Sequence, residues 1–333
     1  MSAVRRIPAA QWIVLGVLAA AAPFYLTELE LFTASRMVIF ALFAISLNLL
    51  LGQAGIVSFA HAAYYGVGAY AVALLALHQG WSPLVGVAIA LPVGAAAAFV
   101  TGLIALRAVR LYFSLLTLAL SQLLYIIAFQ WYDFTRGDNG IHGIGGPAFL
   151  DETVNAYWVV LAVATLGIAA IAAIGRSPFG AALTAIRENR QRAAFLGIDV
   201  KRYELAAFTI AGAFGALAGS LFALFNREAY PNLLFWTANA LPIFVILIGG
   251  IRWLVAGPIV GAVAFVLLEE QVARETGYPD LVFGAIVLAI VLAAPGGLIG
   301  LAQSGWRSIR GRRGPADATP AASRAEPEVK TPA

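Results

Sequence analysis

Residues 37–106 read MVIFALFAISLNLLLGQAGIVSFAHAAYYGVGAYAVALLALHQGWSPLVGVAIALPVGAAAAFVTGLIAL and contain no Asp, Glu, Lys or Arg. A helix needs about 20 apolar residues to cross the hydrocarbon layer of a bilayer, so this stretch has room for roughly three crossings. Long apolar runs, rather than ten-residue segments of alternating polarity, favour helices over a β-barrel. The stretch therefore predicts an all-α protein that crosses the membrane several times.

The composition of the whole chain agrees with this prediction. The 333 residues are 61% hydrophobic and 11% charged, whereas about a quarter of the residues of a soluble domain are charged. The chain has no cysteine, which excludes disulfides, thiolate metal sites and cysteine nucleophiles. Its three histidines, His61, His78 and His142, are scattered along the sequence. We therefore predict no metal site.

We expect about ten transmembrane helices. Residues 1–10 are the predicted N-terminal segment and residues 11–302 the membrane domain. Residues 303–333 are rich in Pro, Ala, Ser and Glu, which predicts a disordered tail. Arg5 and Arg6 precede the first predicted helix and resemble the charged start of a signal peptide. The many later spans favour instead a first helix that is not cleaved off. The ten predicted helices lie at about 11–27, 36–52, 57–78, 83–106, 111–131, 155–175, 205–225, 238–251, 254–271 and 281–302.

Lys and Arg accumulate in the loops on one side of this predicted bundle. Loops rich in Lys and Arg lie in the cytoplasm of most membrane proteins. The loop at 176–204, the loop with Arg107 and Arg110, and both chain ends are basic, whereas the intervening loops are mostly acidic. This distribution predicts that both termini are cytoplasmic and that residues 132–154 form an external loop.

The basic loop at residues 176–204 has the pattern of one amphipathic helix about 20 residues long. Ser177 and Pro178 are typical of a helix start, Gly197 is typical of a helix end, and Asp199 is expected to cap the next helix. Such a helix either rests on anionic lipid or couples the membrane domain to a cytoplasmic ATPase. The predicted apolar face carries Phe179, Leu183, Ile186 and Ala193. The predicted basic face carries Arg187, Arg190 and Arg192.

Three motifs in this loop, Phe179-Gly180, 185–189 (AIREN) and 196–198 (LGI), carry a resemblance to a known family. They resemble the cytoplasmic loop of ATP-binding-cassette (ABC) importer permeases, specifically of the LIV-M type of the branched-chain amino acid permease family. The general Glu-Ala-Ala signature is degenerate, since Gln191 and Arg192 replace its first two residues. The resemblance implies an ABC permease fold and a coupling role for Phe179, Gly180, Ala185, Arg187, Glu188, Asn189, Ala193 and Gly197.

Polar side chains also occur within the charge-free stretch itself. Polar groups in hydrocarbon are costly unless they are paired or face a cavity, and glycine permits a broken helix that exposes backbone to a solute. The segment 47–61 is similar to the same family. Either these residues join helices by packing, or they line the translocation path. The predicted path residues are Asn48, Gly52, Gln53, Gly55, Ser58 and His61, with Gln122 from a mildly polar stripe in the fifth span.

The predicted external loop contains Asp133 and the sequence GDNG at 137–140. Gly, Asp and Asn suit tight turns, so a plain surface loop is one interpretation. The loop also resembles the family's loop between its middle spans, which makes Asp133, Asp138 and Asn139 candidates for contact with an external solute-binding protein. The full calcium-loop pattern is absent.

Near the end of a predicted span, Glu269 and Glu270 are expected to face water or pair with Arg274. The resemblance covers roughly residues 36–302.

The sequence allows three functional classes. The chain has no Gly-x-x-x-x-Gly-Lys-Ser/Thr motif, so ATP would be hydrolysed by other subunits. The family resemblance implies a permease subunit for branched-chain amino acids, or for urea, amides or aromatic acids, without catalytic residues or a bound cofactor. It implies a second permease subunit, two ATPases and a binding protein in the inner membrane assembly, with lipid around it and no nucleic acid. An ATP-independent transporter or channel is the alternative, and an enzyme ranks third.

Overall fold

The computed structural model describes residue 16 and residues 19–108, 111–275, 277–294 and 296–303. Residues 11–15, 17 and 18 of the predicted first span, and residues 304–333 of the predicted tail, therefore lie outside the described residues. The described chain is almost entirely helical, as the sequence predicts. Its main helices are α1 (Glu28–Asn48), α2 (His61–Gln79), α3 (Pro83–Ala105), α4 (Leu111–Gln130), α5 (Thr153–Arg176), α6 (Pro178–Glu188), α7 (Arg190–Phe195), α8 (Val200–Asn226), α9 (Ala240–Gly249), α10 (Ala256–Glu275) and α11 (Pro279–Ala293).

Short elements complete the described chain. A six-residue π-helical turn, Leu49–Ala54, continues α1, and Tyr132–Thr135 forms one helical turn. Strands β1 (Ile141–His142) and β2 (Glu228–Ala229) form an antiparallel pair. The 3₁₀ segments are Ala22–Phe24, Gly137–Asn139, Ala148–Asp151, Pro231–Leu234 and Trp236–Asn239.

Six of the described helices are long and apolar enough to cross a membrane, or seven if the bent pair at Leu281–Ala293 and Gly297–Gln303 is one span. The predicted span 57–78 is a helix that begins only at His61, and the predicted span 238–251 is the ten-residue α9. The predicted span 36–52 begins earlier, at Glu28, because Thr27 and Glu30 form a capping box there. The six full-length helices are Glu28–Ala54, α3, α4, α5, α8 and α10.

The centre of the bundle is α8, which packs against α1, α2 and α3, and α2 also packs against α3. Glycine allows the closest contact: a Cβ at Gly68 of α2 would overlap with the carbonyl oxygen of Ala216 in α8. Helix backbones approach this closely in membranes because there is no hydrophobic driving force between helices, so that close packing must hold them together.

The bundle has two ends, which we name by what lies there. The loop-helix end holds α6 and α7, together with the ends of α1 and α5. The β-pair end holds β1 and β2, where Arg227 donates a 2.6 Å hydrogen bond to Asp151. Near this end Arg36 of α1 forms a 2.8 Å ion pair with Glu269 of α10, whereas Glu270 pairs with Arg274 at 2.6 Å. The expected partner of Glu270 is confirmed, and Glu269 pairs with another helix.

Candidate functional site

Two segments without α-helical structure enter the interior of the bundle from opposite ends. Residues 55–60 lead from the end of α1 back to α2, and residues 230–239 lead from β2 to α9. The first segment starts at Gly55, whose φ of +70° is a left-handed conformation that glycine adopts without strain. Because both segments interrupt helices, their backbone groups need partners other than their own helix.

Asn239 joins the two segments directly. Its side chain is buried, with 1% exposure. The amide oxygen Oδ1 accepts a 2.8 Å hydrogen bond from the backbone N–H of Ala62, and Nδ2 donates at 2.8 Å to the carbonyl oxygen of Phe59. Nδ2 also lies 3.2 Å from the carbonyl oxygen of Trp236. Nothing in the sequence analysis singled out Asn239, since its partners are distant in sequence.

Helix α4 provides further partners for segment 55–60. Ser114 Oγ donates at 2.7 Å to the carbonyl oxygen of Val57. Thr117 Oγ1 accepts a 3.1 Å hydrogen bond from the N–H of Phe59.

One to two turns further along α4, the same stripe reaches the other segment. Ser121 Oγ donates at 3.2 Å to the carbonyl oxygen of Leu234, and Gln122 Oε1 accepts at 3.2 Å from the N–H of Trp236. The polar stripe of α4, including the predicted path residue Gln122, therefore holds both broken segments. Val57 and Trp236 are 43% and 48% exposed, so the junction reaches the surface of the chain.

Four predicted path residues lie together at the loop-helix end: Asn48, Gly52, Gln53 and Gly55. Asn48 packs against Gly52, and its Nδ2 donates to the carbonyl oxygens of Trp253 and Leu254 at 3.1 and 3.2 Å. Gln53 Nε2 donates at 3.3 Å to the carbonyl oxygen of Gly175. The oxygens Asn48 Oδ1 and Gln53 Oε1 are buried acceptors without a hydrogen-bond partner in the described part of the chain.

Ser58 and His61 lie deeper in the bundle. Ser58 accepts a 3.2 Å hydrogen bond from the N–H of Ala60. His61 is fully buried, its Nε2 lies 2.8 Å from Ser46 Oγ, and its ring stacks on Phe43 with the centroids 5.2 Å apart. His61 thus packs between α1 and α2, and its place on the path stays a prediction.

The basic loop contains two helices, which corrects the expectation of a single helix. The chain breaks at Asn189, which has extended backbone with φ −158° and accepts a 2.9 Å hydrogen bond from the N–H of Arg192. Asn is a preferred N-cap because its short side chain bonds the first free N–H groups. Pro178 begins α6, Gly197 has φ +85° after α7, and Asp199 caps α8 as predicted.

The apolar face of this loop packs on the bundle as predicted. Leu183, Ile186 and Ala193 are buried, and Phe179 stacks on Tyr203 with ring centroids 5.5 Å apart. Among the other predicted coupling residues, Gly180 packs on the backbone of Gly175, and Ala185 is partly buried.

Two arginines expected to project outward instead turn towards the bundle. Arg187 Nη1 donates to the carbonyl oxygen of Gly52, and its aliphatic carbons pack on Gly55. Arg190 forms a 2.8 Å ion pair with Glu204, whose side chain is only 4% exposed. A buried carboxylate requires a partner. The amphipathic pattern of the loop could not reveal that Arg190 pairs with Glu204, because Glu204 lies on the next long helix, α8.

Other residues of the loop are exposed together with these arginines. Glu188 and Asn189 are exposed as expected. Phe195 and Leu196 are 91% and 74% exposed, and Phe195 was not among the predicted coupling residues. The only signal in the sequence was this pair of large apolar residues directly before Gly197.

At the β-pair end, the predicted external contact residues are all exposed. Asp133 and Asp138 lie in short helical turns, and Asn139 Nδ2 donates at 3.0 Å to Tyr132 Oη. The β1–β2 pairing joins this loop to the segment that follows α8. The structure describes no group of three or more His, Cys, Asp or Glu side chains placed to hold a metal ion.

Comparison with known proteins gives one consistent family. A family model described as branched-chain amino acid transport system / permease component matches residues 30–294. The high-affinity branched-chain amino acid transport system permease protein LivM of Salmonella typhimurium is 27% identical over 315 residues, covering 85% of this chain and 73% of the relative.

Two further relatives agree with this match. The probable LivM permease of Methanocaldococcus jannaschii is 27% identical and covers 77% of this chain and 89% of the relative. The LivH permease of Escherichia coli is 25% identical, and the match covers 78% of this chain and 91% of the relative. No solved structure matches the chain. Since the family model spans most of the sequence, the chain belongs to the branched-chain amino acid transport permease family and is a multi-pass membrane permease subunit.

Proposed function

We propose that this permease subunit of an ABC importer moves branched-chain amino acids, or a related small polar solute, across the inner membrane. Its LivM and LivH relatives are named for branched-chain amino acid transport. The chain supplies the membrane path and no ATPase site, since it contains no phosphate-binding Gly-x-x-x-x-Gly-Lys-Ser/Thr motif.

The solute path runs along the junction of segments 55–60 and 230–239 with the polar stripe of α4. Three features support this location. Two broken helices meet there, four polar side chains of α4 face the breaks, and the junction is partly open to the surface. Broken helices at mid-membrane provide backbone groups and helix ends that bind polar solutes in transporters.

The single observation that carries the coupling mechanism is the contact between Arg187 and Gly52. Helix α6 belongs to the loop that resembles the ATPase-docking loop of ABC importers, and Gly52 lies in the π-helical turn that precedes the broken segment. The exposed residues Glu188, Asn189 and Phe195 form the proposed outer contact. A displacement of α6–α7 by an ATPase would therefore act directly on the break.

The proposed assembly contains a second permease subunit, two cytoplasmic ATPases and an external solute-binding protein. LivM-type and LivH-type relatives both match this chain, which supports pairing of two related permeases. The basic loop-helix end faces the cytoplasm with both termini in this proposal, and the β-pair end, with Asp133, Asp138 and Asn139, faces the binding protein.

Uptake into proteoliposomes that contain the complete complex tests this function. Radiolabelled leucine should accumulate against its gradient with ATP and binding protein, and a non-hydrolysable ATP analogue should abolish accumulation. Competition with valine, urea, an aliphatic amide and phenylalanine identifies the solute class. Downhill leucine flux at an equal rate through the permease chain alone would contradict the proposal and favour the channel alternative.

A further inference from the structure

Asn239 is the one side chain of the described residues that bonds to both broken segments through its amide. We propose that Asn239 is a positioning residue that joins segments 55–60 and 230–239 into one moving unit. The mechanical link stands on the geometry, whereas its consequence for transport rests on the proposed function.

The amide of Asn239 satisfies backbone groups on both sides of the junction. On one side it bonds to the N–H of Ala62 and the carbonyl oxygen of Phe59, each at 2.8 Å. On the other side it lies on its own segment and reaches the carbonyl oxygen of Trp236. Separating the segments would leave these buried groups without partners, which is costly inside a membrane. The two segments are therefore expected to move together.

The chemistry of the site favours an amide over other side chains. The Ala62 N–H requires an acceptor, and the Phe59 carbonyl requires a donor. The Asn amide presents both groups in one plane without a charge. Leucine, of similar volume, would bond to neither group.

A second asparagine extends the unit to the other end of α9. Asn48, on α1, donates to the carbonyl oxygens of Trp253 and Leu254, just after α9 ends. The ten-residue α9 is thus held at both ends. Asn239, directly before α9, bonds to Phe59 and Ala62, and Asn48 of α1 bonds to the backbone after α9. Arg187 bonds to Gly52 within that connection. A displacement at Gly52 therefore reaches α9 from both sides.

Spin-label distances on the full chain in lipid nanodiscs test the link. The chain has no cysteine, so Val57→Cys with Thr237→Cys, both at exposed positions, gives one label pair across the junction. The unsubstituted Asn239 background should give one narrow distance distribution. Asn239→Leu should at least double its width.

Two controls separate positioning from general loss of structure. Asn226→Leu removes an amide that bonds only within its own helix, to Phe222 at 3.0 Å, and should leave the distribution unchanged. A second label pair, Leu103→Cys with Leu166→Cys, reports on α3 and α5 and should keep its distance in every variant. A merely structural role of Asn239 would disturb both label pairs alike.

The outcomes are decisive. An unchanged junction distribution in Asn239→Leu, or equal broadening of both label pairs, overturns the proposal. If that variant does not fold, Asn239→Ser keeps a single hydrogen-bonding group and should broaden the distribution to an intermediate width.

If neither variant folds, hydrogen exchange of the unsubstituted chain decides. Amides of 57–62 and 236–241 should open with the same free energy, and opening constants that differ more than tenfold overturn the link. These measurements need no solute and no ATP, so a failure of leucine uptake would count against the proposed function only.

Discussion

Arg187 donates a hydrogen bond to the backbone carbonyl of Gly52, although 135 positions separate the two residues. Arg187 lies in the last turn of the first loop helix, and Gly52 lies in the π-helical turn that closes the first long helix. The last carbonyl groups of a helix have no partner within it, and π-helical turns are frequent at functional sites. The guanidinium therefore binds the chain where it is about to break, which connects the loop and the broken segment.

Replacing Arg187 by methionine tests this connection. Methionine keeps the aliphatic packing against Gly55 but loses the hydrogen bond to Gly52. We expect leucine uptake by the complete complex to fall at least tenfold while ATPase association stays within twofold, because the guanidinium bonds to Gly52 within the bundle. Arg202→Gln is the matched control, since Arg202 is 87% exposed, and it should retain uptake. Loss of ATPase binding in Arg187→Met would contradict the inward role.

Removing Arg190 should loosen the loop more than removing its partner. The Glu204 side chain is 4% exposed and that of Arg190 is 52% exposed, so Arg190→Met leaves a buried carboxylate unpaired. This costs about 2–3 kcal/mol, whereas Glu204→Gln keeps a neutral hydrogen-bonding group and should cost less. Hydrogen exchange of residues 178–203 measures the difference. Combining the two substitutions should restore part of the protection, and equal effects of both single changes would argue against a buried charge.

A methyl group at Gly68 should force two helices apart. A Cβ there would overlap with the backbone of Ala216, and overpacking of this kind typically costs about 1–3 kcal/mol. Gly68→Ala should lower the midpoint of thermal unfolding in detergent. Gly284→Ala provides the control, because a Cβ at Gly284 meets no atom within 4 Å. Similar midpoints for the two variants would show that α2 and α8 are not in such close contact.

The acidic residues of the β-pair end should affect only the association of the external solute-binding protein. Asp133 and Asp138 are exposed, and exposed charges act mainly on association rates and are screened by salt. Asp133→Asn with Asp138→Asn should slow association of the binding protein several-fold at low ionic strength and little at 0.5 M salt. Glu188→Gln, at the opposite end, should have no effect on this association rate. A salt-independent change would point to a local structural role.

How far the sequence could predict this protein differs between its parts. The charge-free run at 37–106 determines the membrane class, because every backbone group in lipid must be paired and helices achieve this locally. The apolar face of the loop, with Leu183 and Ile186, follows from helical periodicity. The family resemblance required only motifs that are contiguous in the chain.

Such patterns could not predict contacts between residues that are far apart in the sequence. Periodicity shows which residues share a face but not which partner that face meets, so the inward turn of Arg187 and the break at Asn189 were missed. Asn239 carries no local signal, because the amide and the two backbone groups it bonds are 177–180 positions apart. The sequence alone thus determined a helical membrane permease. Only the tertiary structure decided where its helices break and what joins the breaks, because hydrogen bonds inside a bundle depend on packing in three dimensions.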